Sequence, residues 1–575
     1  MPMAQRPIAW LTLTFLLFLG ACSSTPEPTA SATAPQLIDR ELLLGNPDRF
    51  QGRLSPDGRM MSFRAPLDGV MNLWVAPAGN IQSARPITRD KGRGIPNHAW
   101  TMDSQSLLYI QDQDGDENWH LYRVGLRSGE ITDLTPYPGI QARIVGLSKR
   151  HPEHIAVGMN DRDARWHDVY RVNLGTGQRE LLAQNDGFTQ IYVDHDYNVR
   201  LAIRPTPSGG QMLHRLDEDG WQELNEIPFE DTLTTRVLGF DGDNERVYML
   251  DSRGRNNPAL TRLDLTTGES GPMAVSERGN IEDVLMHPQT HAPIALSFNH
   301  HKRDWRALEE AFAKDIDTLE TQADGDTQIL ATTLDGNRWT VFSSRADRSP
   351  EYAVYDRATL SLNPLFKTHP ALDGLPLAKT ENIILRSRDG LELVSYLTLP
   401  INARLKSNGR PSVPQPMVLL VHGGPWARDR AGFNGTVQWL ANRGYAVLQV
   451  NYRSSTGFGK DFINAGNHEW ARNMHNDLLD AVQWAVDERI ADTNRVAIMG
   501  GSYGGYATLA GLTFTPDTFA CGVDIVGPSN LVTLLNSIPP YWAPMIDMFT
   551  ARVGDHRTEA GRTLLEERSP LNYVD

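Results

Sequence analysis

The chain has 575 residues, too many for one hydrophobic core, so two or three domains are expected. A hydrophobic content of 40% with 13 Trp, 16 Tyr and 17 Phe excludes a disordered polymer. With 70 acidic against 55 basic side chains the formal charge is −15, which argues against a nucleic-acid partner, because phosphate binding asks for a basic surface.

Residues 1–22 read as an address, not as part of the fold. Arg6 precedes an apolar stretch from Ile8 to Leu19 that is too short to span a bilayer as a stable helix. It ends in Leu19-Gly20-Ala21-Cys22, which resembles the bacterial lipobox. That resemblance implies cleavage before Cys22, a lipid on its thiol and, with Ser23 following, an outer-membrane anchor facing the periplasm. The alternative is an ordinary secretory signal whose cysteine is accidental. Residues 23–38, rich in Ser, Thr, Pro and Ala, read as a flexible tether. A modified Cys22 leaves Cys521 without a disulfide partner. Cys521 lies in Phe519-Ala520-Cys521-Gly522-Val523, where the expectation is a buried strand start with the thiol packed as a small hydrophobe.

From residue 39 to 375 short β segments alternate with Gly, Asp and Pro turns. The apolar landmarks Leu73, Leu121, Val169, Leu213 and Leu260 recur at intervals in the forties, and a further match, Tyr352-Ala353-Val354-Tyr355, stands two periods beyond Leu260. Several strands per repeat of that length predict a β-propeller of about seven blades. Leu308, Phe312, Ile316 and Leu319 have helical spacing, so a helix over Trp305 to Leu319 is expected to decorate the sixth blade. The acidic run Asp112-Gln113-Asp114-Gly115-Asp116-Glu117 fails the calcium-loop pattern, because its Gly falls at the fourth position and Arg123 occupies the twelfth. It reads as a solvated turn. Nothing in the sequence asks for a metal or a cofactor.

From residue 376 to 575 the texture changes. Met417–Val421, Ala446–Tyr452 and Arg495–Met499 are apolar, β-branched runs suited to a parallel sheet buried on both faces, and Asp477–Glu488 has the spacing of an amphipathic helix. Alternating strands and helices predict an α/β domain. The third run leads directly into Gly500-Gly501-Ser502-Tyr503-Gly504-Gly505-Tyr506 and then a helical stretch. In that context a G-x-S-x-G motif is a nucleophile elbow: Gly500 and Gly504 let strand and helix approach, and Ser502 is lifted to the carboxyl edge of the sheet. The first run ends in His422-Gly423-Gly424-Pro425. Backbone N–H groups of Tyr503 and Gly424 (or Gly423) are therefore the candidate oxyanion donors, with His422 orienting the loop.

The blocks LLVHGGPWARD, NYRSSTGFGKDF, DLLDAVQWAV and RVAIMGGSYGGYATL, in that order, resemble the catalytic domain of the prolyl oligopeptidase family, nearest its acylaminoacyl-peptidase and dipeptidyl-peptidase branch. The resemblance implies an α/β-hydrolase that attacks short peptides through an acyl-enzyme on Ser502, capped by a propeller that screens access. Glu117 is then a candidate for binding a peptide amino terminus, and Tyr541, Trp542 and Met545 fall where the family often builds its side-chain pocket. Ser454 and Phe458 replace a glycine and a tyrosine of the usual family pattern.

In this family the triad Asp and His follow the segment resembling Ser569–Asp575. The expectation is therefore that the hydrolase domain is incomplete here and that this chain turns over little; a truly shortened protein is the alternative. After Ser502 the only histidine is His556, with Asp547 and Asp555 nearby, in a stretch that reads as a surface loop. An esterase on the same fold, or a non-catalytic propeller lipoprotein, are the competing functions.

Overall fold

Alternating apolar residues between turn residues fold into seven antiparallel sheets in chain order between Phe50 and Lys367. The computed structural model describes residues 36–575; the expected leader, Cys22 and most of the tether lie outside the described residues. Six sheets have four strands, and the sixth in order has three, Ile281–Met286, Pro293–Asn299 and Arg303–Ala307. The landmark residues Leu73, Leu121, Val169, Leu213, Leu260 and Ala353 all fall on the third strand of a sheet, which is why they repeat. Each sheet buries apolar side chains against its neighbours, and each such side chain contributes about 1.5–3 kcal/mol. One cluster unites Leu54, Met61 and Phe63 of the first blade with Tyr352, Val354 and Phe366 of the last, closing the ring by packing.

The helix at the sixth blade begins later than its spacing suggests. Trp305 is on the third strand, its indole donating to Thr327 O at 2.9 Å, and the α-helix runs Ala313–Gln322. Ile316 and Leu319 still face the core beside Trp339. Strand pairing has claimed the first residues of a pattern that periodicity alone assigns to helix.

The second half holds a six-stranded sheet. Its first two strands, Thr380–Arg386 and Glu392–Thr398, form an antiparallel hairpin. Then Ala446–Val450, Gln415–Val421, Ala491–Gly501 and Cys521–Ile525 run parallel to one another. Helices Asn473–Asp487 and Tyr503–Phe514 pack on it through Leu478, Ala481, Tyr506 and Ala507. Cys521 is not buried: it is an exposed free thiol. Cys521–Ile525 is the edge strand, paired on one side only, and Val523 and Ile525 on it are also exposed.

Propeller and hydrolase half meet through three cations, of which Arg428 and Arg552 are buried. Arg428 donates to the carbonyls of Asn299 (2.6 Å) and His300 (2.7 Å). Lys460 pairs with buried Asp231 at 2.7 Å, and Arg552 donates to Phe229 O at 2.8 Å. The hairpins linking second and third strands of the blades point to this side, so the turns linking first and second strands close the opposite mouth of the ring.

Candidate active site

Strand Ala491–Gly501 ends at a bend that only a local strain permits. Ser502 has φ 56° and ψ −117°, a conformation that costs a non-glycine residue about 1–3 kcal/mol. The surroundings hold it there. A Cβ on Gly500 would lie 2.5 Å from the backbone of Gly504, and one on Gly504 would collide with Val421 O. Both elbow glycines are therefore required by the close approach of strand, helix and neighbouring strand. Gly504→Ala is expected to destabilise the hydrolase half by several kcal/mol, of the order of about 1–3 kcal/mol for overpacking and more where backbone cannot yield; a urea melt of the variant beside the parent checks this.

Ser502 is exposed, and its Oγ has no hydrogen-bond partner among the described residues. It caps the helix Tyr503–Phe514, whose first N–H, that of Tyr503, has no intrahelical acceptor. A Cβ built on Gly423 would sit 3.5 Å from Ser502 Cβ, so the His422–Pro425 loop lies directly against the nucleophile position. Gly424, at φ 123°, lines the same cavity as Ser502 and Tyr503, and its N–H is unclaimed among the described residues. The arrangement offers an oxygen nucleophile beside main-chain donors at a helix amino terminus, where negative charge is favoured.

His422 is locked. Its two ring nitrogens meet Gly423 O at 2.8 Å and Ser455 Oγ at 3.0 Å, and its ring stacks on Tyr452 at 4.5 Å. Burial lowers its pKa. Both nitrogens being occupied, it orients the glycine loop and has none free for Ser502. Tyr452 in turn stacks on Tyr503 at 5.2 Å, and Trp470 meets Tyr503 edge-on at 4.6 Å, so an aromatic column supports the elbow from below. Ser454, where the family pattern has glycine, keeps a glycine-like φ of 81° and is buried.

A cavity of about 740 Å³ opens over Ser502. Trp426, Trp470, Trp542, Met545 and Phe549 give it an apolar wall, and Asn530 and Thr533 add polar groups. Trp542 and Met545 thus line the space that the sequence suggested for them; Tyr541 does not. Its hydroxyl donates instead to the Glu117 carboxylate, joining the second blade to the hydrolase domain next to Trp542. Glu117 is exposed at φ 57°, and its N–H donates to Asp112, which is paired with Arg93 at 2.8 Å. Among the described residues no three His, Cys, Asp or Glu side chains gather as a metal site.

Sequence reasoning missed Trp470 and Phe549, which come from segments far from either glycine motif. Trp426, directly after Gly424-Pro425, carried a usable signal in its position. His556 lies away from this cavity, in the loop where Asp555 pairs with Arg557 at 2.8 Å; Asp547 is 3.8 Å from the same arginine. Among the described residues no imidazole reaches the Ser502 hydroxyl.

Comparison with known proteins matches residues 431–574 to the prolyl oligopeptidase family. The chain is 48% identical over 566 residues to dipeptidyl aminopeptidase BIII of Pseudoxanthomonas mexicana, covering 98% of this chain and 82% of that protein. It is 35% identical over 579 residues to dipeptidyl peptidase family member 6 of Caenorhabditis elegans, covering 94% and 78%. A Mycobacterium tuberculosis puromycin-hydrolyzing peptidase shares the fold, with a TM-score of 0.71 at 16% identity over 93% of this chain and 84% of the other.

Proposed function

This chain belongs to the prolyl oligopeptidase family of serine peptidases, and from that premise we propose that it removes dipeptides from the free amino terminus of short peptides. The chemistry is acyl transfer: Ser502 Oγ attacks the scissile carbonyl, the N–H groups of Tyr503 and Gly424 stabilise the oxyanion, and water releases the acyl-enzyme. The propeller admits short chains and excludes folded ones. The lipid on Cys22 holds the enzyme to the outer membrane on its periplasmic side.

The observation that carries the dipeptidyl reading is the contact between Glu117 and Tyr541. It brings a carboxylate from the propeller to the rim of the Ser502 cavity, where an α-ammonium group can pair with it. A carboxylate at that rim fixes the distance from amino terminus to scissile bond, so product length becomes a structural quantity. The names of the two similar proteins, a dipeptidyl aminopeptidase and a dipeptidyl peptidase, support the same reading.

The test compares a peptide with its Nα-acetylated form, in a form of the enzyme that supplies a general base to Ser502. Blocking the amine is expected to lower kcat/KM by about ten- to a hundredfold, the worth of one hydrogen bond to a charged group. Glu117→Gln should lower cleavage of the free peptide by a similar factor and leave the acetylated one nearly unchanged. Mass spectrometry should find dipeptides as first products. Equal rates on free and acetylated peptides, with products of mixed length, contradict the dipeptidyl reading.

A further inference from the structure

The loop that carries Gly424 is gripped from the propeller side. Gly424 folds directly onto Ala427: a Cβ built on it would lie 3.0 Å from the Ala427 nitrogen and 3.1 Å from Ala427 Cβ. Ala427 N–H donates to Pro425 O at 2.8 Å, and Ala427 O accepts from Thr456 N–H at 2.9 Å. In close packing of this kind a displacement at residue 428 is passed on to Gly424.

Arg428 is buried where the hydrolase half meets the sixth blade. Its Nη1 donates to Asn299 O at 2.6 Å and its Nη2 to His300 O at 2.7 Å. These carbonyls stand at the end of strand Pro293–Asn299 and in the hairpin that follows it. Nη2 also reaches the Tyr396 hydroxyl at 3.4 Å, and Nε donates to Asp429 O at 3.1 Å. The guanidinium lies 4.4 Å from the centre of the Phe458 ring, which meets His300 edge-on at 5.8 Å. A Cβ on Gly457 would sit 2.5 Å from Nη1, so the space fits the fork closely. Two residues on, Arg430 donates to the Glu282 carboxylate of the same blade at 2.9 and 2.7 Å.

Arg428 makes no ion pair among the described residues, and burial lowers its pKa. A buried cation answered by neutral carbonyls is a poor source of stability, because no opposite charge offsets its desolvation. What it supplies is position. The guanidinium is planar with donors in a fixed fork, so carbonyls of two consecutive residues accept it in one orientation. His422, held by Ser455, fixes the entry of the glycine loop, and Arg428 fixes its exit. Misplacing a reacting or stabilising group by about 1 Å can cost a hundredfold in rate.

Resting on the peptidase reading above, we propose that Arg428 is a positioning residue. By clamping the exit of loop 423–427 to the Asn299 and His300 carbonyls, it holds the Gly424 N–H where the oxyanion forms. The sixth blade is then part of the scaffold of the oxyanion hole, not only of a screen above it.

The test uses a form of the enzyme that supplies a general base to Ser502. Arg428→Met is compared with the parent on Ala-Phe para-nitroanilide and on the matching dipeptide boronate. The boron takes the Ser502 oxygen while the serine proton passes to the base, and the tetrahedral adduct carries an oxygen at the oxyanion position. In Arg428→Met, kcat is expected to fall at least about tenfold, towards the roughly hundred- to thousandfold of a lost oxyanion donor, with KM within about twofold. Boronate affinity should fall by a factor similar to that of kcat. Arg428→Lys, which keeps the charge and a donor, should recover part of the loss. Arg430→Gln, on the exposed side of the same contact, should lower kcat by about threefold or more. An interface that is merely loosened would instead raise KM and weaken the boronate by equal factors. Should Arg428→Met fail to fold, Arg428→Lys and Arg430→Gln carry the test. Unchanged kcat in the folded variants, or equal changes in KM and boronate affinity, overturns the positioning role and leaves the peptidase reading intact. A parent enzyme that neither cleaves the anilide nor binds the boronate overturns both.

Discussion

In a form of the enzyme that supplies a general base to Ser502, Ser502→Ala is expected to lower peptide turnover roughly a million-fold, the scale seen when a serine nucleophile is lost. The loss should fall on kcat with KM nearly unchanged, because the cavity walls of Trp426, Trp470, Trp542 and Phe549 remain. The 575-residue chain makes the complementary case. Its Ser502 hydroxyl has no imidazole within reach among the described residues, so it is expected to turn over at only the residual level that binding and an oxyanion hole provide, about 10³–10⁴ over water. Ser502→Ala should then change its rate little. Robust hydrolysis by the 575-residue chain, abolished by Ser502→Ala, would contradict this account and require a base that the described residues do not place there.

The second large effect is on stability in mild acid. Burial, reinforced by neighbouring cations, lowers His98 and His167 to about 3 and His475 to about 4, from an ordinary 6.5. The cations are Arg53 and Arg64 beside His98, Arg143 beside His167 and Arg388 beside His475. Above pH 6.5 folded and unfolded chains are alike at these sites, and nothing is lost. Below it the unfolded chain takes up protons that the folded one refuses, so stability falls as pH drops from 6.5 towards the folded values of about 3 to 4. Each fully buried imidazole contributes up to about 1.4 kcal/mol per pH unit over that window. Depressed carboxylates such as Asp389, at about 2, lose their contribution only below the ordinary carboxylate range. Between pH 7 and 5 the histidine loss is opposed by buried carboxylates held above their ordinary range, Asp429 and Asp477 among them, so the histidine share is read from the variants. A decline that is flattened in His98→Gln and His167→Gln is the expected result; a pH profile of melting temperature that both substitutions leave unchanged contradicts it.

The parts legible in the sequence are those fixed by local geometry or by repetition. The elbow was readable because Gly500 and Gly504 answer to one close approach, which the structure places at Val421 O and the Gly504 backbone. The blades were readable because each third strand repeats one apolar landmark. Cys521 was misjudged for the opposite reason: whether a β-branched run is central or at an edge depends on strand order, which no local pattern encodes. Trp305 was misjudged because a helical spacing and a strand pairing overlap there, and the partner Leu296–Asn299 lies on another segment. The walls of the cavity, Trp470 and Phe549, are properties of assembly.

The central claim is that the bend at residue 502 presents a nucleophile beside main-chain donors. Its most direct test is peptide-mapping mass spectrometry after treating a base-supplied form of the enzyme with a fluorophosphonate. The account predicts a single phosphonyl adduct on Ser502, lost in Ser502→Ala. An unmodified Ser502, or an adduct on another residue, would contradict it.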